Sequence, residues 1–219
     1  MAASTYVPVL VYLRSCYEPD AEYVDGEIVE RPTGEFDHAA WQAAIQRWFF
    51  LHENEWNVNV LPGLRVQVAP TRFRVPDVTI LDFSRPVEQI VTHPPVAVFE
   101  VLSPEDTVQR LKRKLDDYAN MGIAQIWVID PTDGSFSRYQ DKQLLRADTF
   151  ADPARSIRFD TQEIANLLSI TTCLRQVEGG RNNPKVVLLR IADRRNGTHA
   201  SSSPQSEERS GCSLISACC

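Results

Sequence analysis

The 219-residue sequence lacks any apolar run close to the roughly 20 residues that a membrane-spanning helix needs. It also lacks a basic region before its first short apolar stretch, residues 6–13, so we predict no signal peptide. Hydrophobic residues make up 43% of the chain and charged residues 24%, which is ordinary for a soluble protein. These features argue against a membrane protein, and we expect a cytoplasmic one.

The five cysteines also lack the spacing of a metal site. Cys16 and Cys173 are isolated, and the other three crowd the last eight residues at Cys212, Cys218 and Cys219. No two of them are spaced with a second pair, or with histidines, as zinc ligands are. The pattern therefore excludes a zinc finger, and it fits a reducing compartment without a disulfide framework.

Basic residues are too few for a general binder of polyanions. The net charge is −6, and the 16 basic and 25 acidic residues up to Thr172 give that part of the chain −9. The remaining residues carry +3. A domain of charge −9 can contact nucleic acid only through a local basic patch or through a metal that offsets its carboxylates.

The length allows one domain with an appendage, and the sequence contains no internal repeats. We place the domain at residues 1–172. Residues 173–219 are polar and rich in Gly, Pro and Ser, so we predict a mostly disordered tail in which only residues 186–191 favour a strand.

Alternating helical and strand patterns predict an α/β sandwich with a mixed central β-sheet flanked by helices. Asp25-Gly26 predicts a hairpin turn. Asp37 is expected to cap a helix that runs to about Glu53, and Asp106 or Thr107 to cap a second helix that ends at Gly122. Further strands are predicted over residues 58–60, 64–68, 75–82, 123–130, 135–139, 142–146 and 157–159, with a loop over 70–74 and a short helix over 161–168.

The central feature of the sequence is the run VAVFEVLS, residues 96–103, which has the composition of a buried strand. Glu100 lies in its middle, and a buried carboxylate costs several kcal/mol unless it is paired or binds a cation. The candidate partner lies upstream at Asp77, near the start of the preceding strand-like run. Two carboxylates on neighbouring strands form the hard-oxygen site that Mg²⁺ prefers.

Metal-assisted phosphodiester hydrolysis also needs an ammonium or an equivalent donor near the phosphate. The position two residues after Glu100 is Leu102, so the lysine must come from the following helix. Lys112 and Lys114 flank the apolar stripe of that helix, and spacing does not choose between them. The structural alternatives are a turn carboxylate at Asp77 and a solvated helix face at the lysines.

Several spaced motifs resemble the Uma-two family, whose members are described as bacterial restriction endonucleases within the PD-(D/E)XK superfamily. The resemblance covers roughly residues 6–170 and rests on YEPDAEYVDGEIVER (17–31), His38, VPDV (75–78), FEVLSP (99–104), KL (114–115), YA (118–119), GI (122–123) and IWVIDP (126–131). The segment VPVLV (7–11) departs from the acidic start that is usual in the family.

The resemblance implies a restriction-endonuclease-like sandwich with Asp77 and Glu100 as ligands of Mg²⁺ or Mn²⁺. It adds the backbone carbonyl of Val101 as a further ligand and selects Lys114 over Lys112. Glu27 matches an acidic position of the family and is expected to complete the carboxylate cluster.

His38 matches a histidine of the family, and its role is left open between a capping residue and a phosphate or metal contact. The expected function is a metal-dependent DNA endonuclease. The alternative is a non-catalytic module of the same fold that binds DNA or protein. Since nucleases that cut both strands often act as dimers, a homodimer is one expectation for the oligomeric state.

Overall fold

The computed structural model describes residues 6–18, 20–31 and 34–168. The predicted tail, including its strand over 186–191, lies outside the described residues. Within them, no helix combines the length and the apolar character needed to cross a membrane.

The described helices and strands follow the predicted alternation. The helices are α1 (Val9–Arg14), α2 (Phe36–Leu51), α3 (Glu53–Trp56), α4 (Val108–Met121) and α5 (161–168). The strands are β1 (Ala21–Val24), β2 (Glu27–Glu30), β3 (Val58–Pro62), β4 (Val66–Ala69), β5 (Arg72–Arg74), β6 (Val78–Asp82), β7 (Ala97–Val101), β8 (Gln125–Asp130), β9 (Ser135–Gln140), β10 (Gln143–Arg146), β11 (Thr149–Asp152) and β12 (Ile157–Asp160).

A six-stranded sheet in the order β10-β9-β8-β7-β6-β3 forms the centre of the domain. It is mixed, because β7 and β8 run parallel while its other neighbouring strands are antiparallel. A second sheet has the order β2-β1-β5-β4, and β11 pairs with β12 separately. The expected α/β architecture with a mixed central sheet is confirmed.

Helices cover both faces of the central sheet. The alternation along β7 directs Phe99 and Val101 into an apolar cluster with α2 residues such as Phe49. Val98, on the opposite face, packs with Leu115 of α4 and its neighbours. Glu100 shares the face of Val98, so its side chain is directed toward α4.

The predicted turn at Asp25-Gly26 and the predicted cap and end of the second long helix are both found in the structure. In the β1–β2 hairpin, Asp25 and Gly26 have φ angles of 51° and 102°, the left-handed conformation that a two-residue turn of this kind needs. Thr107 caps α4 by accepting a hydrogen bond from the Arg110 amide, and Gly122 ends the helix with a φ of 95°.

Two local predictions were wrong, and one strand was not predicted. Residues 72–74 form strand β5 rather than a loop. Their two arginines gave the segment the polar composition of a loop, but in the structure both arginines pair with carboxylates. Helix α2 begins at Phe36, so Asp37 lies in its first turn instead of capping it. The sequence reading also missed strand β11, whose only large apolar residue is Phe150.

The α2 cluster generates a stability prediction with a matched control. Phe49 is fully buried against four aromatic rings, whereas its neighbour Phe50 is 66% exposed. We expect Phe49→Ala to lower the free energy of unfolding by about 3–5 kcal/mol, because it leaves a cavity in the core. Phe50→Ala should change it by less than about 0.5 kcal/mol in the same urea titration. Equal losses in both variants would contradict the described packing.

Candidate active site

A small cavity opens where β6 begins and β7 ends. The hydrogen-bond register pairs Val78 with Phe99, and one further step along both strands places Asp77 opposite Glu100. The cavity has a volume of about 30 Å³ and is lined by Arg31, His38, Asp77, Glu100, Val101, Leu102, Ser103, Asp106, Arg110, Leu111 and Lys114. The structure therefore brings together Asp77 and Glu100, which the strand pattern singled out, with Lys114 and His38, which the family resemblance added.

Glu100 receives one hydrogen bond on each carboxylate oxygen from α4. The Lys114 ammonium lies 2.7 Å from its Oε2, and the Tyr118 hydroxyl donates to its Oε1 at 2.6 Å. Lys114 and Tyr118 are four residues apart and so project from the same face of the helix. Lys112 is exposed on α4 and does not line the cavity.

Asp77 is held by three donors from three different segments. Arg31 contacts its Oδ1 at 2.5 Å, while His38 Nε2 lies 3.2 Å from Oδ2 and the Val101 amide donates to Oδ2 at 2.8 Å. Arg31 follows β2, and His38 lies in the first turn of α2. Val101 therefore takes part in the site through its amide as well as lining the cavity.

Glu22 is a third buried carboxylate, and the sequence reading missed it. It lies on β1, its side chain is 1% exposed, and its Oε1 is 3.0 Å from Lys114 Nζ. Arg74 Nη1 and the Val75 amide donate to the same carboxylate at 2.8 and 3.1 Å. Lys114 thus bridges Glu22 of the second sheet and Glu100 of the central sheet.

Glu27 does not line the cavity. The hairpin register puts it on the same face as Glu22, because Glu22 pairs with Val29 and Glu27 with Val24. Glu27 adjoins the turn, however, and is exposed there. Glu22 is buried because it lies farther from the turn than Glu27 does. A role for Glu27 stays a prediction.

Arg72 and Arg74, the two arginines of β5, are both paired with carboxylates. Arg74 Nη2 lies 2.6 Å from Asp117, and Arg72 contacts Asp117 at 2.9 Å and Asp25 at 2.6 Å. These pairs continue the ion-pair network from Glu22 along β5. Both arginines are therefore compensated within the chain, and neither lines the cavity.

Burial and the charges of opposite sign nearby shift the pKa values of the buried groups in opposite directions. Burial raises the pKa of Glu100 to about 7; Lys114 opposes this rise, whereas Asp77 and Glu22 add to it. Burial would also raise the pKa of Asp77, but the His38 hydrogen bond and the charges of Lys114 and Arg31 hold it below its usual value. Burial would lower the pKa of Lys114, yet the surrounding carboxylates keep it above normal.

The donor chemistry of the cavity fits a hard divalent cation. Asp77 and Glu100 provide carboxylate oxygens, and Mg²⁺ is usually held by one or two carboxylates together with water and substrate phosphates. Within residues 6–168 as described, no group of three or more His, Cys, Asp or Glu side chains is arranged to hold a metal. The protein would thus supply only part of the coordination shell.

The structure is similar to the crystal structure of a "putative nuclease belonging to DUF820" from Anabaena variabilis, with a TM-score of 0.63 at 18% identity. The match covers 74% of this chain and 99% of that one. It establishes a restriction-endonuclease-like fold. The chain belongs to the Uma2 family, described as "Putative restriction endonuclease", whose profile matches residues 11–164.

Two further comparisons add less. A DrdV–DNA complex studied by cryo-electron microscopy shares 16% identity at a TM-score of 0.35, over 59% of this chain and 11% of that one, which does not establish a common fold. None of the curated proteins matches the chain.

The His38–Asp77 contact predicts a pH-dependent contribution to stability. The hydrogen bond to Asp77 raises the pKa of His38 above 6.5, so its stabilisation is fully present below pH 6.5 and is lost as the pH rises through the folded-state value. The difference in unfolding free energy between the wild type and His38→Gln should therefore shrink from mildly acidic to alkaline pH in urea titrations. A difference that is constant across this range would contradict the contact.

Proposed function

We propose that the protein is a metal-dependent DNA endonuclease that hydrolyses phosphodiester bonds. Membership of the Uma2 family supports a nuclease. The observation that carries the proposal is the position of Lys114: its ammonium bonds Glu100 inside the cavity that Asp77 also lines. Two buried carboxylates and a lysine in one cleft are the groups that phosphodiester hydrolysis requires.

In this proposal Asp77 and Glu100 hold Mg²⁺ or Mn²⁺, and the Val101 carbonyl is a further ligand. When bound, the metal would neutralise phosphate charge and lower the pKa of a water molecule. The Val101 amide and His38 orient Asp77 by donating to its Oδ2. His38 is thus a positioning residue for the metal ligand.

Lys114 is the proposed catalytic donor. Its raised pKa keeps it protonated, so it can donate to the attacking water or to the phosphate oxygens, whose negative charge grows in the transition state. Glu22 and Glu100 fix the direction of its ammonium from two sides. Glu22 therefore positions Lys114 in this scheme.

A plasmid-nicking assay tests the proposal. The wild type should convert supercoiled DNA to open-circular or linear forms in Mg²⁺ or Mn²⁺, and not in EDTA. Lys114→Met should lower the rate by about 100-fold, the usual effect of removing one transition-state donor. Asp77→Asn and Glu100→Gln should abolish the metal-dependent activity.

Lys112→Met is the matched control, because it removes the same charge from an exposed position two residues away. It should leave the rate unchanged. If cleavage survives both carboxylate substitutions, or if Lys112→Met is as harmful as Lys114→Met, the site assignment is wrong.

One observation favours the alternative of a non-catalytic module that retains the fold. Each oxygen of Asp77 and Glu100 already has a donor within the chain, from Arg31, His38, Val101, Lys114 or Tyr118. The negative charges of the two carboxylates are therefore compensated without a divalent cation. For such a module we expect metal-independent retention of DNA or of a protein partner, with no cleavage in any cation.

The homodimer stays a prediction. Sedimentation of the purified chain would test it.

A further inference from the structure

Ser103 carries a buried hydroxyl that has no hydrogen-bond partner among the residues that the structure describes. It lies three residues beyond Glu100 and lines the same cavity. Its backbone is fixed, because its amide donates to Asp106 Oδ2 at 2.9 Å and its carbonyl accepts from the Asp106 amide at 3.0 Å. A buried hydroxyl without a partner costs stability unless a ligand or water satisfies it.

Arg110 lies in the first turn of α4 and lines the same cavity as Ser103. Arg31 and Lys114, the other arginine and lysine of the lining, form ion pairs with Asp77 and Glu100. Arg110 forms no ion pair with any described residue, and its one described side-chain hydrogen bond runs from Nη2 to the Glu30 carbonyl. Because a guanidinium has five N–H donors, most of its donors remain available.

A hydroxyl without a partner and a cation without a carboxylate partner therefore line the same cavity as Asp77 and Glu100. Phosphate oxygens accept hydrogen bonds from both donor types, and Arg recognises phosphate in a forked geometry. Asp106 also lines the cavity, and its carboxylate would repel an anion, so the charge of Arg110 is needed to offset it.

We infer that Ser103 and Arg110 form a binding subsite for a backbone phosphate of DNA at the carboxylate cavity. This inference rests on the proposed function only for the class of ligand, a phosphodiester. The basic residue that contacts the phosphate, Arg110, would then lie in the first turn of α4. Ser103 contributes a neutral hydrogen bond, and Arg110 contributes charge.

Fluorescence anisotropy with a short labelled DNA duplex tests the subsite, in Ca²⁺ and in EDTA. Ser103→Ala and Arg110→Gln should each raise Kd about tenfold, the loss expected for one hydrogen bond to a charged group. Arg110→Gln should also reduce the slope of log Kd against log salt by about 0.9, because one phosphate contact is lost. Ser103→Ala should leave that slope unchanged.

Arg113→Gln is the control, since Arg113 is exposed on the same helix and does not line the cavity. It should change neither Kd nor the slope. Arg110→Lys keeps the charge, so it should keep the slope while losing part of the affinity. Urea titrations of each variant establish that the fold is intact, which matters because Arg110 also contacts Glu30.

The possible outcomes separate this inference from the proposed function. If folded Ser103→Ala and Arg110→Gln bind the duplex as tightly as the wild type, or if the wild type binds no duplex, the subsite is overturned. If the variants bind weakly while the wild type cleaves no DNA in any cation, the subsite stands and the nuclease proposal fails.

Discussion

The burial of Glu100 near the end of β7 is the constraint on which the rest of the site depends. Its side chain is 7% exposed, and burying an ionised carboxylate costs several kcal/mol unless partners compensate. Lys114 and Tyr118, one helical turn apart on α4, supply those partners. The rotation of α4 over the sheet follows from this contact. Because Lys114 also reaches Glu22, its ammonium links the central sheet to the second sheet.

The charges form an alternating network, so each buried ion has at least one partner of opposite sign. From Glu100 it passes through Lys114, Glu22, Arg74, Asp117 and Arg72 to Asp25. Asp77 is compensated separately by Arg31 and His38. A metal ion that binds Asp77 must compete with these two side chains for the same oxygens. For the proposed nuclease, the affinity for metal should therefore depend on whether Arg31 leaves Asp77.

Much of the fold could be predicted because local signals agree with packing. The Asp25-Gly26 turn, the Thr107 cap and the apolar run of β7 each specify one structure, and Glu100 is conspicuous as an acid in an apolar strand. Strand β5 could not be predicted, since its arginines resemble a polar loop until Asp117 and Glu22 are placed beside them. Glu22 was missed for the same reason: its burial depends on Lys114, 92 positions away in the chain. Residue spacing could not choose between Lys112 and Lys114, because the choice depends on the rotation of α4.

Anomalous diffraction at the manganese edge, from crystals soaked in Mn²⁺, tests most directly whether Asp77 and Glu100 share a metal ion. We expect one peak in the cavity, at roughly the 2.1 Å typical of Mg²⁺–oxygen bonds from one carboxylate oxygen each of Asp77 and Glu100. We also expect Arg31 to leave Asp77 Oδ1 and the peak to be absent in Asp77→Asn crystals. No peak in this cavity at saturating Mn²⁺, with Arg31 and Lys114 still bound to the two carboxylates, would contradict the proposed metal site.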